Sequence, residues 1–227
     1  MHLFGSLLMV WLCALPLAAQ LNTKVGYTLG FYDNPAYAAL VERYNAARPW
    51  LEPLPDRDAV SGLTIGLRYR REPFGVEVSW RNQFTNNRRQ GTDPTTDTGF
   101  ERRIATRLNT YSAGLEVYGG VFTVGGSLDY NTFGVRTEVT GVDGTFDVVE
   151  GEGSFGHTLY VSVEPEVGDG RLRVALRPYW QAVWNDFDFG ALGRELEPDR
   201  AATAPGTDYR EAFNNFGLMI IFYNGQE

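Results

Sequence analysis

The chain lacks several features that mark common protein classes. One cysteine, Cys13, and two histidines among 227 residues leave no disulfide framework and no paired-cysteine metal site. Beyond Ala19 there is no run of about 20 mostly apolar residues, which excludes a helical membrane span there. Acidic residues outnumber basic ones by 28 to 20, and the net charge of −8 argues against general nucleic-acid binding, which needs Lys and Arg on phosphate. The sequence also contains no P-loop, dinucleotide-binding glycine motif or HExxH motif.

The N-terminal residues 1–19 form a short apolar run that ends in small residues. This length suits a secretory signal peptide better than a membrane span, although Met1-His2 supplies no Lys or Arg. An uncleaved anchor, or a lipoprotein modified at Cys13, is the alternative. We therefore expect residues 1–19 to be a signal peptide and residues 20–227 to be an exported domain without cysteine.

The chain contains 26 glycines, and 14% of its residues are aromatic. This composition suits a chain of many short strands. Apolar and polar residues alternate in eight segments, each close to the length that a tilted strand needs to cross a bilayer. The segments are 24–32, 63–70, 74–81, 110–117, 122–131, 158–164, 171–184 and 215–222. The alternation predicts eight strands, each with one apolar and one polar face.

The connections between these segments are short and long in turn. Short ones lie near Glu72-Pro73, at Gly119-Gly120 and at 167–170, and long ones span 33–60, 85–106, 132–156 and 186–212. This asymmetry is typical of an up-and-down membrane barrel, which has short periplasmic turns, long extracellular loops and no open edge. A soluble barrel of the lipocalin type is the alternative, because alternation alone does not decide which face meets water.

The last predicted strand carries a recognisable motif. Its sequence, Asn215-Phe216-Gly217-Leu218-Met219-Ile220-Ile221-Phe222, resembles the C-terminal β-signal of outer-membrane proteins. The resemblance implies recognition by the barrel-assembly machinery, with a polar contact at Asn215 and anchors at Gly217, Ile220 and Phe222. Residues 223–227 extend beyond the aromatic residue at which many members of that class end.

As a whole, residues 20–227 resemble the small eight-stranded outer-membrane barrels of Gram-negative bacteria, of the OmpA-transmembrane and OmpX kind. The resemblance implies an all-β, antiparallel transmembrane barrel in the bacterial outer membrane. It also implies three kinds of partner: outer-membrane lipid and lipopolysaccharide, the assembly machinery, and an unknown extracellular molecule. OmpX-like barrels carry protruding strand edges, which the resemblance links to surface attachment.

If the apolar face meets lipid, the polar face fills the interior with charges that must be paired. The inward charged residues are Lys24, Arg68, Arg70, Glu77, Arg81, Glu116, Asp129, Glu164, Arg171, Arg173 and Arg177. An eight-stranded barrel is only wide enough for side chains to fill. We therefore predict a network in which the arginines bridge Glu77, Glu116 and Glu164 and close the lumen. A gated pore for small ions is the alternative use of this network.

The long connections carry their own patterns. Asn34 is suited to be the N-cap and Pro35 the first residue of a short amphipathic helix that ends before Pro49, serving as a lid or as a partner-binding element. In the third connection, Asp143-Gly144 predicts a hairpin between 135–140 and 145–149. The acidic third and fourth connections are interpreted as solvated loops, with Ca²⁺ binding as the alternative.

Catalytic signals are weak. His157 is the one histidine after residue 19, and its parity places it on the lipid face near the external rim. Leu159 stands where lipid-deacylating barrels have a serine. We therefore expect no enzyme, cofactor or metal site, and a barrel acting structurally or in adhesion through its external loops. A narrow channel or transport accessory, and a lipid-A-modifying enzyme, are the alternatives.

Overall fold

The structure is a computed structural model that describes residues 20–32, 34–55, 59–139, 146–149, 153–167, 172–196 and 210–224. The predicted signal peptide, residues 1–19, lies outside the described residues. Within these ranges, no helix combines the length and the apolar character needed to cross a membrane.

Strands dominate the chain. They are β1 (Gln20–Tyr32), β2 (Ala59–Arg71), β3 (Phe74–Asp93), β4 (Thr98–Gly119), β5 (Phe122–Val139), β6 (Phe146–Val149), β7 (Gly153–Val163), β8 (Glu166–Val167), β9 (Leu172–Val183), β10 (Phe187–Asp188), β11 (Arg210–Glu211) and β12 (Asn215–Asn224). Two helices, α1 (Pro35–Ala47) and α2 (Gly190–Leu196), lie in the connections.

Eight of these strands form a closed ring. Strands β1, β2, β3, β4, β5, β7, β9 and β12 each pair antiparallel with the next, and β12 returns to pair with β1. Each of these strands covers all or nearly all of one alternating segment. Along each segment one face of the strand is buried and the other is exposed. The predicted eight-stranded up-and-down barrel is confirmed.

The apolar face of the barrel points outward. Ile65 and Val76 are each 46% exposed, whereas their strand neighbours Thr64 and Glu77 are only 1% and 5% exposed. A soluble barrel has the reverse arrangement, so the lipocalin alternative is wrong. A continuous apolar outer surface around a polar interior is stable in hydrocarbon rather than in water, and this is the architecture of bacterial outer-membrane barrels. The structure is therefore an eight-stranded barrel with the inside-out polarity of a transmembrane barrel.

A row of aromatic side chains marks the upper boundary of the membrane. Four outward residues lie directly opposite one another across adjacent strands: Trp80, Tyr111, Tyr130 and Phe155. The next outward row is polar, since Asn82 donates from Nδ2 to Oδ1 of Asn109 at 2.7 Å, and Asn109 is paired with Thr132. Aromatic rings concentrate where hydrocarbon gives way to headgroups, so we call this row the aromatic row and place the boundary there.

The strands β3 and β4 continue far above the aromatic row. They stay paired up to Asp93 and Thr98, so the prediction of a long loop over 85–106 is wrong. The outward positions of this part carry polar residues such as Asn86 and Arg88. The sequence here therefore lacks the alternating apolar residues by which the strands were predicted. Nearby, β6 pairs with the end of β5, as Thr137 with Phe146, which confirms the predicted pairing in this hairpin. Its turn at Asp143-Gly144 lies outside the described residues.

The helix predicted in the first connection is confirmed. Oδ1 of Asn34 accepts a hydrogen bond from the backbone N–H of Tyr37 at 2.8 Å, and Pro35 occupies the first helical turn. The buried face consists of the four predicted residues, Tyr37, Leu40, Val41 and Tyr44. These side chains belong to an apolar core at the top of the barrel, so α1 covers the external mouth as a lid.

Candidate functional site: the sealed interior and its extracellular cap

Charged side chains from several strands meet in the membrane-spanning part of the lumen. Arg177 on β9 donates from Nη1 to Glu77 at 3.0 Å and from Nη2 to Glu116 at 2.7 Å. Lys24 on β1 contacts the same Glu77 carboxylate at 2.6 Å. All four side chains are almost completely buried. Charge-assisted hydrogen bonds compensate the loss of hydration that such burial imposes.

A second group of charges lies toward the periplasmic end. Arg68 donates from Nη1 to both oxygens of Glu164, at 2.8 and 2.9 Å, and Arg70 approaches the same carboxylate at 3.7 Å. Arg70 also pairs with Glu72 near the rim at 2.7 Å. Arg68 lies 4.0 Å from Glu116, which connects the two groups. The ion pairs thus form one chain across the lower lumen.

Tyrosines complete this network, and the sequence analysis did not include them. Three rings lie against arginines: Tyr223 at 3.4 Å from Cζ of Arg68, Tyr160 at 4.0 Å from Arg177, and Tyr118 at 4.2 Å from Arg70. The Tyr223 hydroxyl accepts from Arg177 at 2.7 Å and donates to Glu77 at 3.1 Å. The inward parity of Tyr160 was a usable signal. Tyr223 was missed because β12 extends beyond Phe222, to Asn224.

Two of the predicted residues lie in a separate layer of amides and hydroxyls. Arg81 donates to Oε1 of Gln181 at 2.7 Å rather than to a carboxylate. Asp129 accepts from Ser127 at 2.7 Å, from Gln181 at 3.2 Å and from the Thr158 hydroxyl. Arg173 is half-buried at the start of β9, and Arg171 lies outside the described residues.

The space that remains inside the barrel is small. A cavity of about 20 Å³ lies between the ion-paired group and the amide layer, bordered by Lys24, Glu77, Arg81 and Arg177. A volume of this size holds about one water molecule. The side chains of this region therefore fill it, as expected for an eight-stranded barrel.

An apolar core closes the upper interior, and we call this part of the molecule the extracellular cap. Strand tops, α1 and the fourth connection contribute to it; its buried members include Tyr32, Val60, Ile104, Leu108, Phe133, Val183, Phe187, Phe189, Leu192, Leu196 and Phe213. The ring of Phe133 lies 4.8 Å from that of Phe213 and 5.3 Å from that of Phe187. Asp186 and Asp188 of the fourth connection are exposed as predicted, but this connection is not only a solvated loop, because Phe187 and Phe189 are buried. Phe187 and Phe189 alternate with acidic residues, and this alternation was the overlooked sign of a buried face.

His157 lies on the outer surface beside the aromatic row, as its parity predicted. Its Nδ1 accepts from Nε1 of Trp184 at 2.9 Å, and its ring meets that of Trp180 at 5.5 Å. Directly across the neighbouring strands stand Leu128 and Ala182, which offer no nucleophile and no carboxylate. Among the residues that the structure describes, no cluster of three His, Cys, Asp or Glu side chains is suited to hold a metal ion.

The residues of the predicted assembly signal occupy the closing strand. Asn215 is buried and donates from Nδ2 to Gln181 at 2.7 Å, while Ile220 and Phe222 face outward. At Gly217 a Cβ would lie 2.2 Å from the backbone oxygen of Leu29 and 2.7 Å from the Tyr179 hydroxyl, so the neighbouring strand leaves no room for a larger residue. Recognition of this strand by the assembly machinery stays a prediction.

Comparisons with known proteins were made on sequence and on structure. No protein family and no curated protein matches the sequence. Neisserial surface protein A is 7% identical with a TM-score of 0.42, over 92% of this chain and 99% of that one. The attachment invasion locus protein Ail of Yersinia pestis, in complex with the heparin analogue sucrose octasulfate, is 8% identical with a TM-score of 0.47, over 91% and 97%. The translocator domain of the autotransporter NalP from Neisseria meningitidis is 9% identical with a TM-score of 0.34, over 99% and 95%.

Proposed function

We propose that this outer-membrane barrel is a non-catalytic surface protein that binds an extracellular partner through its extracellular cap. The observation that carries this proposal is the cap itself. The lid helix α1, the helix α2 and the upper ends of β4 and β5 contribute to one apolar core, and β3 and β6 pair with those strand ends above the aromatic row. A pre-organised surface suits binding, because little conformational entropy is lost when the partner docks.

The lumen supports this reading over the channel alternative. An ion path would have to displace both the Arg177 ion pairs and the apolar core above them. Separating a buried arginine from two carboxylates costs several kcal/mol. In planar bilayers we therefore expect the purified protein to show no steady conductance. A large and constant open current would contradict a closed lumen and revive the channel alternative.

The surroundings of His157 give little support to the enzyme alternative. General acid–base catalysis needs a reacting group within hydrogen-bond reach of the imidazole, and the nearest outward neighbours described are aromatic or aliphatic. We expect a His157→Ala variant to leave the acylation of lipid A unchanged in cells. A change in acyl chain number, seen by mass spectrometry of extracted lipid A, would instead favour the enzyme.

The surface role is tested by displaying the protein on a non-adherent Gram-negative host and counting the cells retained on host-cell and matrix-coated surfaces. Replacing residues 91–100 by Asn-Gly keeps the pairing of Gln90 with Glu101 while removing the tip of the β3–β4 hairpin. We expect this variant to lose retention at equal surface amount. The matched control is Gly119→Asn in a periplasmic turn, where the position faces open space. Equal retention of cells with and without the folded barrel would overturn the proposal.

A further inference from the structure

The small cavity inside the lumen has a lining in which positive charge predominates. It lies between the ion-paired group and the amide layer, and three cations and one carboxylate border it: Lys24, Arg81, Arg177 and Glu77. Lys24 pairs with Glu77, and Arg177 reaches beyond Glu77 to Glu116. Two of the three cations are thus matched by two carboxylates. Arg81 is the cation that remains.

Arg81 is buried without a direct counter-charge. Its side chain is 4% exposed, and no carboxylate of the described residues forms an ion pair with it. It donates to Oε1 of Gln181 at 2.7 Å, and its Cζ lies 4.6 Å from the Tyr179 ring. Its Nε donor is buried and has no hydrogen-bond partner within the described part of the chain. Because a charge removed from water is costly unless it is compensated, this guanidinium requires a further partner.

Asp129, the carboxylate of the amide layer, does not supply that partner. It accepts from Ser127 at 2.7 Å, from Nε2 of Gln181 at 3.2 Å and from the Thr158 hydroxyl. Gln181 stands between the two charged groups, because its oxygen accepts from Arg81 while its nitrogen donates to Asp129. The two charges are therefore linked through a neutral amide and not through an ion pair.

The remaining lining of the cavity suits a guest that accepts hydrogen bonds. Both oxygens of Glu77 already accept from Arg177, and one of them also accepts from Lys24. Ser79 and Ser112 stand directly opposite each other on β3 and β4 and border the cavity, and a hydroxyl can rotate its proton toward a guest. A cation would find no unsaturated carboxylate among the described lining residues, whereas an anion finds donors and a positive charge.

The size of the cavity selects a small anion. Its volume of about 20 Å³ corresponds to about one water molecule, and a chloride ion is only slightly larger. Sulfate and gluconate are much larger and do not fit. Ion pairs close the lumen below the cavity and the apolar core closes it above. We therefore expect a guest to be enclosed as the barrel folds and to exchange slowly afterwards.

We propose that this cavity binds one halide ion, with chloride as the physiological ligand, between Arg81 and Lys24. The Nε of Arg81 and the hydroxyls of Ser79 and Ser112 donate to the ion, which supplies the negative charge that this guanidinium lacks. The ion thereby connects the amide layer to the ion-paired group. This site is independent of the partner-binding role of the cap, because it lies in the closed lumen.

Retention of bromide by the folded protein tests the site, because bromide is close to chloride in size and is counted by X-ray fluorescence. The protein is refolded in detergent with sodium bromide and then dialysed against sodium sulfate. We expect one bromide per chain to remain in the wild-type protein and none in R81M, which replaces the guanidinium by an uncharged side chain. The matched control R88M removes an exposed arginine outside the lumen and should retain the bromide.

A second variant, Ser112→Val, keeps every charge but fills the cavity and removes a hydroxyl, and it too should lose the bromide. Folding of each variant is checked by the shift in electrophoretic mobility between unheated and heated samples. In wild-type crystals grown with bromide, anomalous diffraction should place the ion between Arg81 and Lys24. Absence of retained bromide in the folded wild-type protein, or equal retention in R81M, would overturn the proposal. An anomalous peak on the outer surface alone would overturn it as well and would assign the cavity to water.

Discussion

The lower and upper halves of the barrel obey opposite rules. Below the aromatic row, β4 turns Leu115 and Tyr111 outward and Glu116 and Thr110 inward. Above it, the same strand turns Arg107 and Arg103 outward and buries Leu108 and Ile104. Inward and outward residues alternate without interruption along the strand. What changes is which face is apolar: the outer face below the aromatic row and the inner face above it. The exchange occurs where the solvent outside changes from hydrocarbon to water.

Each half is stabilised by the interactions that the solvent outside it favours. Water outside the cap drives apolar side chains inward, as in a soluble protein. Hydrocarbon outside the lower half supplies no such drive, because a lipid tail is as apolar as the side chain it meets. Buried hydrogen bonds and ion pairs therefore stabilise the lower interior, whereas an apolar core stabilises the cap.

The largest effect is expected for Arg177→Ala in the lower half. This change removes the partner of two buried carboxylates and should reduce the free energy of unfolding by about 3–5 kcal/mol. Urea unfolding in lipid vesicles, followed by tryptophan fluorescence, measures the loss. The double variant R177M/E116Q, which also removes one of the charges left unpaired, should regain part of it. If Arg177→Ala costs less than about 1 kcal/mol, the ion pairs do not hold the lower half.

A smaller effect is expected for Phe133→Ala in the cap. Its ring contacts Phe213, Phe187 and Phe189, and loss of a buried phenylalanine costs about 3 kcal/mol. Because the three ring contacts of Phe133 all lie within the cap, the variant should make the cap sensitive to added protease while the membrane-spanning strands stay protected. Simultaneous cleavage in both halves would show that they unfold as one unit.

A loss of about 1 kcal/mol is expected for Asn34→Ala, because the N-cap acceptor for the N–H of Tyr37 disappears. Hydrogen exchange of the first turn of α1 should accelerate accordingly. The conservative change Asn34→Asp retains an acceptor oxygen and should retain slow exchange. Fast exchange in both variants would assign the ordering of the lid to packing rather than to the cap residue.

The smallest effect concerns pH at the exposed tip of the hairpin. Hydrogen bonds from Arg88 and Gln90 hold the pKa of the Glu101 carboxyl below its ordinary value of about 4.3. A lowered pKa means that the contribution of this pair is present above that ordinary value and is lost as pH falls through the lowered pKa. A spin label at Thr92 should become more mobile over this acid range. In Glu101→Gln the label should be more mobile already at neutral pH and insensitive to acid.

The sequence predicted the lower half well, because lipid requires an unbroken apolar face on every strand. Ile65, Val76 and their neighbours repeat with period two over eight segments, and the regular alternation of short and long connections favoured a membrane barrel over a soluble one. Asn34-Pro35 was equally informative, since the cap, the proline and the apolar spacing agree.

The upper half was harder to predict, because the exchange of polarity on β3 and β4 removes the pattern that identified strands. Ile104 was assigned to a long connection and Leu108 to no predicted strand, although both belong to a core. Within the lumen, charge alone did not show that Arg81 and Asp129 would both turn to Gln181, since a neutral amide can both donate and accept. Pairing across a closed barrel depends on register and strand tilt, which local sequence does not encode.

The orientation of the two faces is the claim on which the whole account depends. Single cysteines at Ile65 and Val76, in a chain with Cys13 replaced by serine, allow spin labels to be placed on the outer surface, with Thr92 as the water-exposed reference. In lipid vesicles the account predicts that oxygen relaxes the labels at 65 and 76 strongly and that a water-soluble nickel complex relaxes only the label at 92. Relaxation of the labels at 65 and 76 by nickel, or by neither reagent, would contradict it.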